Sequence, residues 1–276
     1  MAKEKQTVEL PNIFPLENAI VPHNVVVVGC GGTGAYVIGH ITRLISVLNS
    51  ERERYRKINL KLADGDKVEE KNLERQHFLK RELGTNKAVA LAERYSAAFG
   101  LEITTKETYL EDSDDIVSLN PQLLITCVDN AATRKVAHDW FMNGGRYSSY
   151  FWIDAGNEEN SGQVICGYNT YSSSHHGFNL PCASEVYPSI IEGGKFNSQL
   201  SCAELAAVAP QNMMANITAS TLVLNFVQNI LRNKPLVSHG VTFSVDNSFN
   251  TLLNTPENLI KLCPQRRTIN EPWFKK

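Results

Sequence analysis

The sequence predicts an α/β protein built on a doubly wound, mostly parallel sheet with a C-terminal antiparallel extension. Three observations carry this. A β-branched run at residues 25–28 ends in Gly29-Cys30-Gly31-Gly32-Thr33-Gly34, from which a helical period departs. Strand and helix patterns then alternate as far as Asp154, as βαβ units require. Near the C-terminus, residues 241–245 and 251–253 read as two short strands joined at Asp246-Asn247, which have turn chemistry.

The elements follow in order. Residues 1–24 are polar, are punctuated by Pro11, Pro15 and Pro22, and read as an N-terminal arm. The valine run is expected to be buried on both faces of a parallel sheet. Ile38, Ile41, Ile45 and Leu48 recur at helical spacing. Residues 50–57 are charged and read as a solvated insertion, after which 58–62 alternate as a strand ending at Ala63-Asp64-Gly65-Asp66. A helix is predicted over 86–99, a weak strand over 103–105, a buried strand over 123–128 and a helix over 131–142. Two further strands are predicted at 152–154 and 162–168. Residues 169–200 read as loop, and 203–231 as a long apolar helix interrupted near Pro210. Its Leu222, Val223, Leu224, Phe226 and Val227 suit either the core or an interface.

Composition narrows the function. The 276 residues carry 27 Lys plus Arg against 29 Asp plus Glu, a formal net charge of −2. That excludes the global basic field of a typical nucleic-acid binder. With 42% hydrophobic and 20% charged residues the chain is ordinary for a globular protein. No apolar run reaches membrane-spanning length, and the first residues do not read as a secretion signal. The six cysteines, at 30, 127, 166, 182, 202 and 263, form no C-x-x-C pair. They indicate a reducing cytoplasm rather than a disulfide framework, and no zinc site is expected. The His175-His176 pair reads as exposed loop.

The glycine loop is the first candidate site. Gly29, Gly31, Gly32 and Gly34 follow a strand and open a helix, a Rossmann-like arrangement in which backbone approaches phosphate and the helix N-terminus offers unpaired N–H groups. The competing reading is a tight turn with glycines for packing alone. An acid after the second strand holds ribose in such folds. Asp64 stands there, followed by Asp66. It lies 35 residues from Gly29, beyond the roughly 20 of simple dinucleotide binders, and the charged insertion accounts for the excess. An exposed turn aspartate is the alternative.

The following blocks are more specific. After Asp64-Gly65-Asp66 come Val68, then Asn72-Leu73-Glu74-Arg75-Gln76, then Lys87, and later Cys127-Val128-Asp129-Asn130 with Arg134. In order and spacing these resemble the ThiF/MoeB/HesA family of adenylyltransferases, which are similar to ubiquitin-activating enzymes. Within that family the chain resembles the ThiF-related member of a bacterial plasmid-associated (PRTRC) cassette. Ser201-Cys202-Ala203-Glu204 and the helix after it extend the resemblance to about residue 230.

The resemblance implies ATP-dependent adenylylation of the C-terminal carboxylate of a small ubiquitin-like or sulfur-carrier protein by a homodimer. It also implies a single domain: the arm, an ATP-binding part over 25–168, and a crossover loop, helix and strands over 169–276. Two anions must meet in that reaction, so positive charge is needed. Arg75 as a planar fork and Lys87 as a point charge would supply it. Mg²⁺ takes oxygen ligands beside phosphates, and Asp129, at the carboxyl end of a buried strand, is its expected ligand. Asn72, Gln76 and Asn130 complete the expected nucleotide contacts, and Cys202 is the candidate acceptor of the activated carboxylate. Each assignment has a bland competitor. The competing readings are a solvated first-turn residue for Lys87, a surface partner of Glu70 or Glu74 for Arg75, a helix cap for Asp129, and a buried packing residue for Cys202. Cys30, Cys127 and Cys182 read as packing residues.

Three features depart from the family pattern. Residues 1–42 contain no arginine, where many members place one that reaches the phosphates. The paired zinc cysteines are missing. The loop over 169–200 differs from the usual sequence. Two other classes therefore stand beside the leading one: a catalytically silent ATP-binding assembly subunit, and, on the glycine loop alone, an NAD-dependent oxidoreductase.

Overall fold

The computed structural model describes residues 21–51, 57–143, 149–170, 179–192, 213–246 and 248–254. Most of the N-terminal arm, residues 52–56 of the charged insertion, His175-His176, Cys202, Pro210 and Cys263 lie outside the described residues.

The described elements are β1 (Asn24–Val28), α1 (Gly32–Glu51), β2 (Asn59–Ala63), α2 (Glu70–Leu73), a 3-10 turn (Lys80–Glu82), α3 (Lys87–Phe99), β3 (Ile103–Lys106), α4 (Ser113–Leu119), β4 (Leu123–Thr126), α5 (Ala131–Asn143), β5 (Ser149–Asn157), β6 (Ser161–Thr170), α6 (Ala183–Val186), a second 3-10 turn (Pro188–Ile191), α7 (Met213–Leu231), β7 (Ser238–Ser244) and β8 (Ser248–Leu253). The strands form one sheet in the order β3-β2-β1-β4-β5-β6-β7-β8. Pairings from β3 to β5 are parallel, and those from β5 to β8 antiparallel. This is the architecture predicted from the sequence.

Strand periodicity explains the two layers. In β1, Val25 and Val27 pack into the layer formed with α1, α3 and α7, while Val26 and Val28 enter the layer of α4 and α5. The same alternation sends Phe151 and Ile153 one way and Tyr150 and Trp152 the other, as a period of two requires. The second layer is aromatic: Trp140, Phe141, Tyr150 and Trp152 interlock with ring centroids 5.0–5.8 Å apart. The α1 stripe of Ile38, Ile41, Ile45 and Leu48 is buried as its spacing predicts. On α7, Ala219, Val223, Phe226 and Val227 face the core, against α1, β5 and β6.

Several elements were not visible in the hydrophobic pattern. Helix α4 exists because Asp112 caps it, accepting from Asp114 N and Asp115 N, and Asn120 ends it in the left-handed region at φ 54°. The stretch read as loop over 169–200 contains α6 and a 3-10 turn. Glu185 accepts from Cys182 N at 2.9 Å and Pro188 opens the second turn, so local capping overrides the loop-like composition. The predicted strands at 152–154 and 162–168 are also longer, because each pairs along its whole length with the other.

His239 on β7 is fully buried. Its Nδ1 lies 2.8 Å from Asn254 Oδ1, and its Nε2 has no hydrogen-bond partner among the described residues. Burial lowers its pKa from 6.5 to about 4. The unfolded chain therefore takes a proton on this side chain at a pH where the folded chain does not. Its neutral form costs nothing above pH 6.5, and stability falls as pH drops from there toward 4. A loss of about 2 kcal/mol by pH 5 is expected from this group. Urea midpoints at pH 7.5 and pH 5 measure it, and His239→Gln should flatten the difference.

Candidate functional site

The glycine loop lies at the carboxyl end of β1, whose neighbours are β2 on one side and β4 on the other. Chain direction across the sheet reverses there, and open α/β sheets bind ligands at that crevice. Gly29 adopts φ +88°, and a Cβ there would lie 2.6 Å from the Cys127 carbonyl oxygen. A Cβ on Gly34 would lie 1.8 Å from the Gly29 carbonyl oxygen. The packing explanation for the glycines is therefore correct at these two positions. It does not cover Gly31, where an added Cβ would meet only the Gln76 carboxamide, at 3.8 and 4.0 Å. That side of the loop is open, and the first-turn amides of α1 lie beside it. Gln76 Oε1 is buried and has no hydrogen-bond partner among the described residues.

Beside the loop stands a cluster of two acids and one lysine. Asp64 accepts from Cys30 N at 2.6 Å and from Asp66 N at 2.8 Å, one bond on each oxygen. It is thus fixed on the loop, and is not a free turn residue. Burial raises its carboxyl pKa, with Lys87 opposing. Burial also acts to raise Asp66, but Lys87 and Tyr109 together hold it below the ordinary value. Lys87 is 4% exposed, and its Nζ lies 2.8 Å from Asp66 Oδ2. The solvated reading of Lys87 is overturned: its ammonium is held inside by an acid. Tyr109, after β3, donates to the other Asp66 oxygen and packs on Gly65, where a Cβ would meet the ring at 2.7 Å. Asn86 ties the cluster to α3. It donates to the Asp64 carbonyl at 2.8 Å, while its Oδ1 caps the helix. Sequence reasoning missed both Asn86 and Tyr109. Asn86 was detectable as an N-cap immediately before Lys87, whereas Tyr109 carries no local signal.

The Asn72 block has a divided role. Asn72 is 2% exposed, and its Oδ1 accepts from Glu69 N at 2.9 Å, so its side chain caps α2. Arg75 is half-buried and makes no ion pair with Glu70 or Glu74, which removes the surface-pair alternative.

At the carboxyl end of β4, Asn130 Oδ1 accepts from Thr133 N at 2.8 Å. Asn130 is therefore the cap of α5, correcting the alternative that gave this role to Asp129. Asp129 is exposed, and its carboxylate has no partner among the described residues. No group of three or more His, Cys, Asp or Glu that could hold a metal occurs among the described residues. A lone carboxylate beside a phosphate site fits Mg²⁺, which binds through one or two carboxylates plus phosphates and water.

A polar network not foreseen from the sequence joins the loop to distant elements. Thr33 Oγ1 lies 3.0 Å from both Asn157 Oδ1 and Asn216 Oδ1, and Asn157 Nδ2 donates to Asn216 Oδ1 at 2.8 Å. It links the start of α1 to the end of β5 and the first turn of α7. Burial pushes the Cys30 and Cys127 thiols beside the loop well up, away from the thiolate form. Cys182 is pushed up to about 12 and contacts Ser184.

Comparison with known proteins gives a consistent result. A family model described as the ThiF family matches residues 14–259. No curated protein sequence matches the chain. Among solved structures, E. coli MccB with ATP is similar at 16% identity and a TM-score of 0.57, covering 86% of this chain and 65% of that one. PaaA is similar at 18% identity and a TM-score of 0.54, covering 84% and 64%. E. coli MccB with AMPCPP and MccA gives 17% identity and a TM-score of 0.57, covering 87% and 67%. The chain thus spans 65% and 64% of the first two relatives. These likenesses concern the fold.

Proposed function

The chain belongs to the ThiF family, and from that premise we propose that it adenylylates the C-terminal carboxylate of a peptide or a small ubiquitin-like or sulfur-carrier protein, using ATP. One observation carries the reading. An open glycine loop, a carboxylate fixed on that loop, and a carboxylate after β4 with no partner among the described residues stand together at the switch point of the sheet. Among the neighbours, MccB was solved with ATP and with AMPCPP and MccA, which supports a nucleotide and a peptide as the ligand pair.

The residues divide the work by chemistry. Asp64 keeps lone pairs beyond its two backbone bonds and takes the ribose hydroxyls. The open face at Gly31, the first turn of α1 and the Gln76 carboxamide receive the phosphates. Arg75, which pairs with no acid among the described residues, supplies a fork for phosphate oxygens. Lys87 supplies positive charge from beneath, shared with Asp66. Asp129 holds Mg²⁺, which neutralises phosphate charge when bound. In the reaction, a carboxylate oxygen of the carrier attacks the α-phosphorus, the bond to the bridging oxygen breaks, and pyrophosphate leaves. An ionised carboxylate needs no general base, so positioning and charge stabilisation supply the rate. A homodimer located in the cytoplasm, and transfer of the acyl group to Cys202, complete the proposal.

The test is ATP–pyrophosphate exchange with small proteins ending in Gly-Gly that are encoded near the chain's own gene. Exchange is expected only with the authentic carrier and Mg²⁺. Cys202→Ser should leave exchange intact and remove any thiol-linked carrier seen on a non-reducing gel. ATP binding without exchange in the presence of the authentic carrier would establish the silent assembly subunit instead. Preference for NAD over ATP would overturn both.

A further inference from the structure

The network behind Asp129 assigns a task to Arg134, a residue with no role so far. Arg134 lies one turn into α5, and its guanidinium makes two attachments. Nη2 donates to the Val128 carbonyl at 2.7 Å, and Nε lies 3.2 Å from Asp154 Oδ2. Asp154 is fully buried at the sheet. Its Oδ1 accepts from Thr126 Oγ1 at 2.6 Å, and Thr126 Oγ1 in turn accepts from Trp152 Nε1 at 2.8 Å. The chain of contacts therefore runs from the aromatic layer through β5 and β4 to the turn at 127–130.

Every neighbour of Asp129 in that turn is anchored. Cys127 N donates to Val28 O at 2.8 Å, the Val128 carbonyl is held by Arg134, and Asn130 is occupied as the α5 cap. The Asp129 side chain is exposed and has no partner among the described residues. Gly156 leaves room for two side chains at once: a Cβ there would stand 2.7 Å from Gln163 Nε2 and 3.0 Å from Arg134 Nη2. Lysine cannot make both attachments, since it presents a point charge in place of a planar fork. A buried carboxylate with a single cationic partner is also costly unless it fixes something specific.

We infer that Arg134, clamped by Asp154, is a positioning residue that sets the direction of the Asp129 carboxylate toward magnesium. The inference rests on the reading of Asp129 given above. Outer partners of metal ligands commonly govern metal affinity by ten- to a hundredfold.

Calorimetric titration with ATP, in Mg²⁺ and separately in EDTA, tests it without a carrier. Asp129→Ala should remove the affinity gained from Mg²⁺. Arg134→Lys and Asp154→Asn should cut that gain about tenfold, with metal-free ATP affinity held within about twofold. A purely structural role would lower the melting temperature and weaken both affinities alike, which overturns the inference. So does an unchanged Mg²⁺ gain in both variants while Asp129→Ala loses it; in that case the reading of Asp129 survives. If Asp129→Ala keeps the gain, that reading fails and the positioning role falls with it. Should both charge variants fold poorly, Gly156→Ala in a Gln163→Ala background, where the nearer obstacle at 2.7 Å is gone, crowds the guanidinium at 3.0 Å with all charges kept, and must reduce the Mg²⁺ gain relative to Gln163→Ala alone for the inference to stand.

Discussion

Gly34→Ala will weaken ATP binding strongly and destabilise the protein. The added methyl would lie 1.8 Å from the Gly29 carbonyl oxygen and 3.4 Å from Cys127 Cβ. Neither can retreat cheaply. Gly29 N is bonded to Ala63 O at 3.0 Å, and Cys127 N to Val28 O at 2.8 Å, so both neighbours are tied into the sheet. The loop must open, at a cost of about 3 kcal/mol, the upper part of the range for overpacking a close-packed region. A fall in ATP affinity of at least about a hundredfold is expected, corresponding to about 2.7 kcal/mol. Gly31→Ala supplies the contrast. Its methyl meets only the Gln76 amide at 3.8 Å, so stability should be retained while the open face is filled. Chemical denaturation and calorimetric titration of both variants measure this. Normal ATP binding by Gly31→Ala would show that the loop is a packing device rather than a phosphate cradle.

Lys87→Met should lower exchange about a hundredfold or more, as removal of a charge-stabilising donor does. It should also cost about 3 kcal/mol of stability, the lower end for breaking a buried pair. The reason is local. Lys87 is the cation paired with Asp66 at 2.8 Å, and it also opposes the rise in the Asp64 pKa. Asp66 is held below its ordinary 3.8, so its pairing contributes stability above that pH and loses it as pH falls through the lower folded value. The deficit of the variant is therefore largest near neutrality and shrinks toward pH 3.8 and below. Adding Asp66→Asn removes the uncompensated charge and should restore much of the stability but none of the exchange. Recovery of exchange in the double variant would show that Lys87 serves only to neutralise Asp66. Urea denaturation at several pH values, alongside exchange assays, separates the two effects.

How far the site could be read from sequence depends on the range of each interaction. Gly29, Gly31, Gly32 and Gly34 announce a strand–turn–helix because the requirement is backbone geometry within six residues. Asp64 and Asp129 follow the carboxyl ends of strands, and in an open parallel sheet that is the edge on which ligands bind. By contrast, Tyr109 meets Asp66 across 43 positions and Arg134 meets Asp154 across 20. The Thr33–Asn216 contact spans 183. No periodicity or capping rule connects residues so separated. Even short-range competition was unresolved: Asp129 and Asn130 are adjacent and both cap helices well. Only the structure gives the cap to Asn130 and leaves Asp129 without a partner among the described residues.

The alternating βαβ order, the buried valine strand, the glycine turn and the set of charged residues available to a nucleotide are all legible in the order of residues. Hydrophobic period and backbone sterics are local, so they survive in one dimension. The tertiary structure alone decided which charges are spent inside the protein and which remain available. It buried the Lys87 ammonium on Asp66, put Arg134 on Asp154, and left Arg75 and Asp129 without acidic or basic partners among the described residues. That division depends on burial and on distances between elements far apart in the chain, and these exist only once the sheet is assembled.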